Sequence, residues 1–468
     1  MTSTIPCDLI IDNIGWLITV DHDRRIITDA AIAITGKDIV AVGKKSDIIG
    51  AWHGSTIVDA RGGVVTPGFI DCHLHSSFHL SRGLADEANA REFLVQRMYP
   101  YEAALTPDDV TLSARMAGRE MLRHGTTCFV DPGNAHPERT AEGIAPLGIR
   151  AVLARSAFDL GGSDFGKVPE ELVASPDEAV SKADDLYQVL HGQEDGRISV
   201  SVSFRGLNNS SDELIRGLSA LARERGTFLQ THACFSYQTR DASVSKFGIP
   251  EIERLGSLGV LGPDMLLVHG GWLEPHEVGL IRSTDSRVVV NPSSSFHNGY
   301  GAIAVGHAPE LLADGVTVAL GSDHASSGPV DLVREMFLAA CGYKEVRLNP
   351  RVMPPETVLE MATINAAVAI GMADAIGSIE VGKRADIVIF DTDQPEWQPL
   401  YNPVSNLVYS ATGSTVDTVV VDGRVVVSGK ELTSPEAQNL SGQVADHHND
   451  FARRLNSKEL SQLTWPVT

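Results

Sequence analysis

The sequence has few cysteines, little positive charge and no long apolar run. Its five cysteines lie far apart with no paired spacing, a pattern that argues against a disulfide framework and indicates reduced thiols. No run reaches the ~20 apolar residues of a membrane span. The first residues, MTSTIPCDLIIDN, lack the basic segment and apolar core of a signal peptide. These absences predict a cytoplasmic protein that does not enter a membrane.

The net charge of the protein limits which classes of molecule it is expected to bind. Lysine and arginine number 38 against 60 aspartates and glutamates, which gives a formal net charge of −22. A field of that sign repels phosphate groups, so we expect neither nucleic acid nor an anionic membrane as a partner. With 43% apolar residues over 468 positions, the chain has room for one large domain and a smaller companion.

Both ends of the chain are rich in short β-branched runs punctuated by glycine and aspartate. The run VVVDGRVVV, with Asp422 and Gly423 between two valine-rich segments, is typical of a β-hairpin. We therefore expect residues 1–63 and 377–435 to meet in one small β-sandwich domain. Residues 436–468 read as an amphipathic helix and tail that cover a neighbouring surface.

Between these ends, apolar strands alternate with helical segments, which predicts an α/β fold over residues 64–376. Eight such runs favour a closed (β/α)₈ barrel of the TIM type. A doubly wound open sheet is the alternative, but no glycine-rich phosphate fingerprint supports it. The candidate strands are 64–75, 126–132, 150–157, 198–204, 227–233, 265–271, 287–293 and 317–323.

Polar side chains stand at the ends of several of these strands, where the side chains of a barrel converge. His73 and His75 end the first strand. Because side chains alternate between the two faces of a strand, both imidazoles point to the same side. His232, His269 and Asp323 end three later strands. Imidazoles and a carboxylate brought together in this way predict a metal site with a general base.

Several motifs resemble those of the amidohydrolase superfamily. The stretch TPGFIDCHLH is similar to its first-strand pattern, PGxxDxHxH. Further matches are GTTCFVD (125–131), HGGW (269–272), VALGSD (318–323) and GSIEVGKRADIVIFD (377–391). The resemblance covers essentially the whole chain. It is closest to the branch that holds cytosine, guanine and adenosylhomocysteine deaminases and triazine hydrolases.

The resemblance implies that His73, His75, His232 and Asp323 hold one divalent metal. Three imidazoles and a carboxylate suit zinc, while iron, cobalt and manganese also accept them. Asp323 would take a proton from the attacking water and return it to the leaving group, and His269 would hydrogen-bond the water or the substrate. Binuclear relatives bridge two metals with a carboxylated lysine on the fourth strand. That strand here carries Arg205, which favours one metal.

The sequence departs from the deaminase pattern at Phe235, where that branch carries a glutamate that protonates the ring. Phenylalanine cannot do this, whereas an acyl carbonyl needs no such acid because the metal polarises its oxygen. We therefore expect cleavage of an acyl C–N or C–S bond in a neutral urea, carbamate, thiocarbamate or amide. Phenylurea hydrolases and molinate hydrolase, which degrade xenobiotics, resemble such an enzyme.

Two alternatives remain open. The first is an aminohydrolase or dechlorinase of a purine, pyrimidine or triazine, in which another acid replaces the missing glutamate. The second is an inactive metal-binding scaffold, against which the intact Asp323 argues. Barrels of this family usually associate, so we also expect a homo-oligomer.

Candidate substrate contacts follow the same strand ends, and their mixture suits an aromatic or alkyl substrate with one polar carbonyl. We expect Arg205 to pair with a core acid instead of reaching the pocket. The candidates are Phe78, His79, Trp272, His297, Asn298 and His324.

Overall fold

The computed structural model describes residues 4–163, 165–455 and 465. Its middle part is a closed parallel barrel, as predicted. Two sheets form it, and they meet where the Cys72 N–H donates to the Leu320 carbonyl at 2.9 Å and the Asp323 N–H to the His73 carbonyl at 2.8 Å. In chain order the barrel strands are Phe69–Asp71, Thr126–Val130, Arg150–Leu153 with Ser156–Ala157, Ile198–Val200 with Val202–Gly206, Leu229–Ala233, Met265–His269, Arg287–Val290 and Val318–Leu320.

The barrel strands are short, apolar and almost entirely buried. All three residues of Val318–Leu320 and all five of Met265–His269 are buried. Continuous apolar runs are typical of a parallel sheet covered on both faces. The polar residues at the strand ends are therefore set apart from an otherwise apolar wall.

Helices cover the outside of the barrel. Pro107–Arg123 shows why they begin where they do: Thr106 and Asp109 form a capping box, and Pro107 stands at the first helical position. The α-helices are Lys45–Ala51, Tyr99–Ala104, Pro107–Arg123, Pro137–Ile144, Pro176–Leu190, Asp212–Glu224, Tyr237–Phe247, Glu251–Leu258, Pro275–Thr284, Pro292–His297, Ala302–Val305, Ala308–Ala313, Leu332–Arg347, Pro355–Met361, Ile364–Ala369, Pro403–Tyr409 and Leu440–Arg454, with a π-helix at Glu92–Met98. No helix among the described residues is long and apolar enough to cross a membrane.

The two chain ends meet in one nine-stranded sheet. The junction is the antiparallel pairing of Val64–Pro67 with Ile387–Phe390. Alternate side chains from both ends, such as Ile11, Ile32 and Ile389, pack into one core. The strands are Ile5–Ile18, Ile26–Thr35, Asp38–Lys44, Trp52–Asp59, Val64–Pro67, Ile387–Phe390, Val416–Val421, Arg424–Ser428 and Glu431–Leu432; a separate two-residue pair joins Gly162–Ser163 to Gly166–Lys167.

The segment 64–75, predicted as one barrel strand, is two strands. Val64–Pro67 pairs within the terminal sheet, and Phe69–Asp71 enters the barrel. Gly68 separates them and lies so close to Thr127 that a Cβ atom there would clash with its side chain. We therefore propose Gly68 as the start of the barrel domain and retain the other predicted domain limits as proposals.

The helix Leu440–Arg454 packs against the helix Pro107–Arg123. His447 and Arg454 both bond the Asp109 carboxylate, and Phe451 contacts the Tyr101 ring at 5.4 Å between centroids. The last described helix thus packs on the helix that precedes the second barrel strand. The predicted tail after residue 455 lies outside the described residues except for position 465.

Candidate metal centre and active-site cavity

His73 and His75 follow the first barrel strand and lie on the inside of the barrel. Both side chains are buried, and the two rings stand edge to face with centroids 5.0 Å apart. The backbone here is fixed because the His75 N–H donates to the Asp323 carbonyl at 2.7 Å. The alternation of side chains along an extended chain therefore brings both imidazoles to one place, as the sequence predicts.

Four of the predicted residues form one compact group. One ligand atom from each of His73, His75, His232 and Asp323 lies within 4.8 Å of the others. Nε2 of His75 is 3.1 Å from Nε2 of His232, and Nε2 of His73 is 3.3 Å from Oδ1 of Asp323. These residues come from strands one, five and eight, so only the closed barrel brings them together.

The donor set fits a divalent cation. The His73 ring is fully buried: its Nδ1 has no hydrogen-bond partner in the described part of the chain, and its Nε2 faces Oδ1 of Asp323. Nδ1 of His232 donates to the Arg205 carbonyl at 2.6 Å, which leaves its Nε2 with a free lone pair facing the group. Three imidazoles and one carboxylate are a donor set that zinc accepts in catalytic proteins.

His269 and Asp323 both have left-handed backbone conformations, with φ of 80° and 65°. Such conformations cost non-glycine residues about 1–3 kcal/mol and are concentrated at functional sites. Nε2 of His269 lies 3.9 Å from Oδ2 of Asp323. The Asn291 amide nitrogen lies 3.1 Å from Nδ1 of His269, so Nδ1 accepts a hydrogen bond and Nε2 carries the ring proton.

Burial sets the protonation of this group. It lowers the pKa of His75 and of His232 well below the usual histidine value, helped by the positive charge of Arg205 and the neighbouring rings. Burial also lowers the pKa of His269 to about 3. Burial alone would raise the pKa of Asp323, but nearby histidines hold it well below its usual value. At neutral pH His75, His232 and His269 are therefore neutral, and Asp323 is ionised.

Asp71 lies beneath the four candidate ligands and accepts hydrogen bonds from the residues next to them. This role was not predicted from the sequence, although Asp71 is part of the PGxxDxHxH motif. Its carboxylate accepts the Ser322 hydroxyl at 2.5 Å, the Ser322 N–H at 3.1 Å and the His73 N–H at 3.2 Å. Burial raises the pKa of Asp71 to about 6. Asp71 thus ties the first and last barrel strands together directly under the candidate ligands.

A cavity opens above these residues, and its wall is mostly apolar and aromatic. Apolar walls with a few polar groups are typical of small-molecule sites. The lining residues are His75, Phe78, Phe93, Leu94, Tyr99, Phe165, Arg205, Gly206, Leu207, Asn208, Asn209, His232, Phe235, Thr239, Glu251, His269, Tyr300, Asp323 and His324.

Of the six predicted substrate contacts, Phe78 and His324 line this cavity. The Phe78 ring stacks on His75 with centroids 4.6 Å apart, and His324 stacks on Phe93 at 4.7 Å. Both side chains therefore belong to the wall that surrounds the candidate metal group.

His79 and Trp272, two of the predicted substrate contacts, do not line this cavity. Nε2 of His79 lies 3.3 Å from Oε2 of Glu120. The Trp272 indole N–H donates to the Tyr300 carbonyl at 2.7 Å and so fixes the loop behind the wall. The indole N–H of Trp272 is satisfied inside the protein, whereas Nδ1 of His79 is buried without a hydrogen-bond partner among the described residues.

His297 and Asn298 also lie outside the set of residues that line the cavity. Nε2 of His297 lies 3.0 Å from Oδ1 of Asp86, and the Asn298 amide donates to the Ala88 carbonyl at 3.2 Å. The two residues end the helix Pro292–His297 and tie it to the loop before Glu92–Met98. We therefore retain only Phe78 and His324 as proposed substrate contacts.

Arg205 both pairs with a core acid and lines the cavity, whereas only the pairing was predicted from the sequence. Its guanidinium bonds Glu102 and lies 3.4 Å from Nδ1 of His75. It also lies 5.1 Å from the centroid of the Phe158 ring. Burial lowers the pKa of Arg205 to about 10, which leaves it charged at neutral pH. A fixed positive charge thus stands beside the candidate ligands.

Much of the cavity wall was not predicted from the sequence. Phe93 comes from a π-helix, Phe165 and Tyr300 from loops, and Glu251 from the first position of a helix. None of them follows a barrel strand directly, so the strand-end rule could not find them. Only the Pro-Glu pair that begins a helix at Glu251 was a local signal, and it indicates a helix start, not a site.

Comparison with known proteins identifies the family. The sequence pattern described as "Amidohydrolase family" matches residues 64–426. A 5-methylthioadenosine/S-adenosylhomocysteine deaminase of Syntrophobacter fumaroxidans is 32% identical over 438 residues, which cover 93% of this chain and 97% of the relative.

Solved structures agree with the fold. An adenosine deaminase from Xanthomonas campestris with bound zinc has a TM-score of 0.90 at 27% identity and covers 96% of this chain and 100% of its own. A mutant of atrazine chlorohydrolase from Arthrobacter aurescens, complexed with zinc and atraton, has a TM-score of 0.85 at 24% identity, with 94% and 99% covered. The second likeness concerns the fold alone.

These relatives agree with the deaminase branch that the motifs indicated, and they do not support the predicted nearness to phenylurea and molinate hydrolases. The matched pattern, the relatives and the His/His/His/Asp group agree with one another. The chain therefore belongs to the amidohydrolase family and is a hydrolase of carbon–nitrogen bonds other than peptide bonds.

Proposed function

We propose that this protein is a metal-dependent aminohydrolase that releases ammonia from a small nitrogen heterocycle of the adenine type. The observation that carries this proposal is the convergence of three imidazoles and Asp323 on the floor of an aromatic cavity. The relative named as a 5-methylthioadenosine/S-adenosylhomocysteine deaminase supports the choice of substrate class.

We further propose that His73, His75, His232 and Asp323 hold one divalent ion, and that the ion is zinc. When bound, such an ion polarises a water molecule and lowers its pKa towards neutrality. Arg205 supports a single ion because its guanidinium and Glu102 take the place beside His75 where a second metal would need a lysine carbamate.

Asp323 is the proposed base. Its carboxylate is ionised at neutral pH, since nearby histidines hold its pKa well below the usual value. It lies at the cavity floor and can accept a proton from the attacking water and pass it to the departing amino group. The left-handed backbone at Asp323 keeps the carboxylate aimed at His73 and His269.

His269 is the proposed hydrogen-bond donor to the oxygen that becomes attached to the substrate. Asn291 holds Nδ1, so the proton on Nε2 points to the group around Asp323. Because burial lowers the pKa of His269 to about 3, the ring stays neutral and donates without itself becoming a cation. A fixed donor at the site of developing charge stabilises the transition state.

The cavity wall suits a flat, neutral ring. Phe78, Phe93, Phe165, Phe235 and Tyr300 surround the space above the ligands. Aromatic walls bury a planar substrate and keep bulk water from the reacting carbon. Asn208, Asn209 and Thr239 supply the few polar contacts.

A second candidate function is hydrolysis of an acyl C–N or C–S bond in a neutral urea, carbamate or thiocarbamate. Phe235 favours it, because the position holds an apolar ring that lies 5.4 Å from the His269 ring instead of an acid. Acyl hydrolysis needs no proton on a ring nitrogen, so an apolar side chain would be tolerated there.

One panel of substrates tests both candidates. Metal-loaded protein is assayed for ammonia release from adenosine, 5-methylthioadenosine, S-adenosylhomocysteine, cytosine and melamine, and for amine or thiol release from phenylureas, carbamates and thiocarbamates. We expect ammonia from at least one heterocycle, and loss of that activity in Asp323→Asn. Turnover confined to ureas, carbamates or thiocarbamates would replace the first candidate by the second.

A further inference from the structure

Glu251 is a buried carboxyl group that shares the cavity with the candidate ligands. It is the first residue of the helix Glu251–Leu258, and its side chain is only 2% exposed. It nevertheless lines the same cavity as His232, His269 and Asp323. Apart from the metal-site residue Asp323, it is the only carboxyl group among the described residues that line this cavity.

Glu251 lies next to the position at which the glutamate of the resembled deaminases is missing. Its Oε2 accepts a hydrogen bond from the Cys234 N–H at 2.7 Å. Cys234 immediately precedes Phe235, the position at which the resembled deaminases carry their glutamate. The Glu251 carboxyl thus meets the loop after the fifth strand one residue from the expected place, although it comes from a helix 16 positions further on.

We propose that Glu251 replaces the missing glutamate and exchanges protons with a ring nitrogen of the substrate. This inference rests on the proposed deaminase function, because acyl hydrolysis has no ring nitrogen to protonate. It makes Glu251 a catalytic residue and Phe235 part of the apolar wall.

The proton balance is complete with the two carboxyl groups. Water forms a C–O bond to the carbon that carries the amino group, while Asp323 takes one water proton and Glu251 gives its proton to the ring nitrogen. Asp323 then returns its proton to the amino group, the C–N bond breaks and ammonia leaves. The remaining hydroxyl proton passes to Glu251, which restores both residues and leaves a carbonyl on the ring.

The surroundings of Glu251 give it a proton to donate near neutral pH. Burial raises the pKa of Glu251 to about 7, opposed by the hydrogen bonds from Cys234. The titratable and charged groups that face it are the Cys234 thiol from the strand end, Glu277 from the helix Pro275–Thr284 and Arg254 on its own helix. A proton donor works best when its pKa lies close to the working pH.

The test compares metal-loaded wild type, Glu251→Gln and Glu251→Asp, with Glu335→Gln as the matched control. Glu335 is equally buried and also accepts one backbone N–H, that of Ser293, but lies outside the cavity lining. The kcat for ammonia release from the best heterocycle is measured from pH 5.5 to 9, together with metal content and thermal unfolding.

We expect Glu251→Gln to lower kcat by about 10²–10³-fold, with metal content unchanged, and to abolish the fall in kcat above pH ~7. Glu251→Asp should keep that fall, and Glu335→Gln should behave as wild type in the activity assay. A kcat within about threefold of wild type in folded Glu251→Gln, with the same pH profile, overturns the inference alone.

The wild-type profile decides the matter if Glu251→Gln does not fold. A kcat that falls as pH rises through ~7 supports Glu251 as the donor, and a flat profile from pH 6 to 9 contradicts it. Wild type that releases no ammonia from any heterocycle but cleaves ureas overturns the proposed function, and the role of Glu251 with it.

Discussion

His75 and His232 face each other with their Nε2 atoms 3.1 Å apart. Burial keeps the pKa of both rings well below the usual histidine value, so neither is charged at neutral pH. Two neutral ring nitrogens at this distance require either an N–H···N hydrogen bond or a cation between them. The nearby carboxylate of Asp323, 3.9 Å from Nε2 of His75, favours the cation.

Removal of the metal should destabilise the protein. An ion that binds only the folded state contributes about 2.7 kcal/mol when its concentration is 100 times its Kd. We therefore expect chelated protein to unfold at a lower temperature in calorimetry, and zinc to restore the original value. An unchanged unfolding temperature after verified removal of metal would count against a structural link between the ion and the barrel.

Asp323→Asn should separate metal binding from turnover. An amide oxygen remains available as a ligand, but the group can no longer take a proton, so we expect a loss of kcat of ~10³-fold or more. Elemental analysis should show that much of the metal is retained. His276→Ala is the matched control, because this exposed histidine pairs with Glu253 outside the cavity. Near-normal turnover in Asp323→Asn would remove Asp323 as the base.

Glu102→Gln should expose the energetic role of the buried ion pair with Arg205. The variant keeps the size of the side chain but leaves the buried Arg205 charge without a charged partner, at a cost of about 3–5 kcal/mol. Urea unfolding should show the change. Arg139→Gln, at an exposed pair with Asp108, should cost less than about 1 kcal/mol. Equal effects of the two changes would contradict the importance assigned to the Glu102–Arg205 pair.

Glu335 should make stability depend on pH. Burial raises its pKa to about 8 from an ordinary value of 4.5. Above the unfolded-state pKa the unfolded chain loses this proton while the folded chain keeps it, so stability falls as pH rises, by about 1.4 kcal/mol per unit, until pH passes the folded-state pKa.

Glu335→Gln removes the titrating carboxyl and therefore removes its contribution to the pH dependence of folding stability. We expect the variant and wild type to differ least near pH 5 and the variant to gain relative stability by pH 7.5. Thermal unfolding of both proteins at the two pH values measures the difference. A difference that does not change with pH would show that Glu335 is already ionised in the folded protein.

The barrel and the ligand group were predictable because each depends on local patterns. Buried parallel strands have apolar runs, and the polar residues that end them converge in a closed barrel. His73, His75, His232 and Asp323 all follow this rule. It was harder to predict which strands pair with each other. Val64–Pro67 is as apolar as a barrel strand, and only its hydrogen bonds to Ile387–Phe390 assign it to the terminal sheet.

The cavity wall could not be predicted in the same way. Phe93, Phe165 and Tyr300 reach the cavity because of how distant segments pack, and this packing leaves no periodic signal in the sequence. Conversely, His79 and His297 stand near the motifs in the sequence, but they contact Glu120 and Asp86 and do not line the cavity. Side chains that can be satisfied inside the protein are a poor guide to a binding site until their partners are known.

The central claim is that His73, His75, His232 and Asp323 hold one divalent ion. X-ray diffraction from zinc-loaded crystals, with anomalous scattering at the metal edge, tests it most directly. We expect one anomalous peak per chain within bonding distance of these four side chains, and we expect its loss in His232→Ala. A second peak bridged to the first, or a single peak elsewhere in the protein, would contradict it.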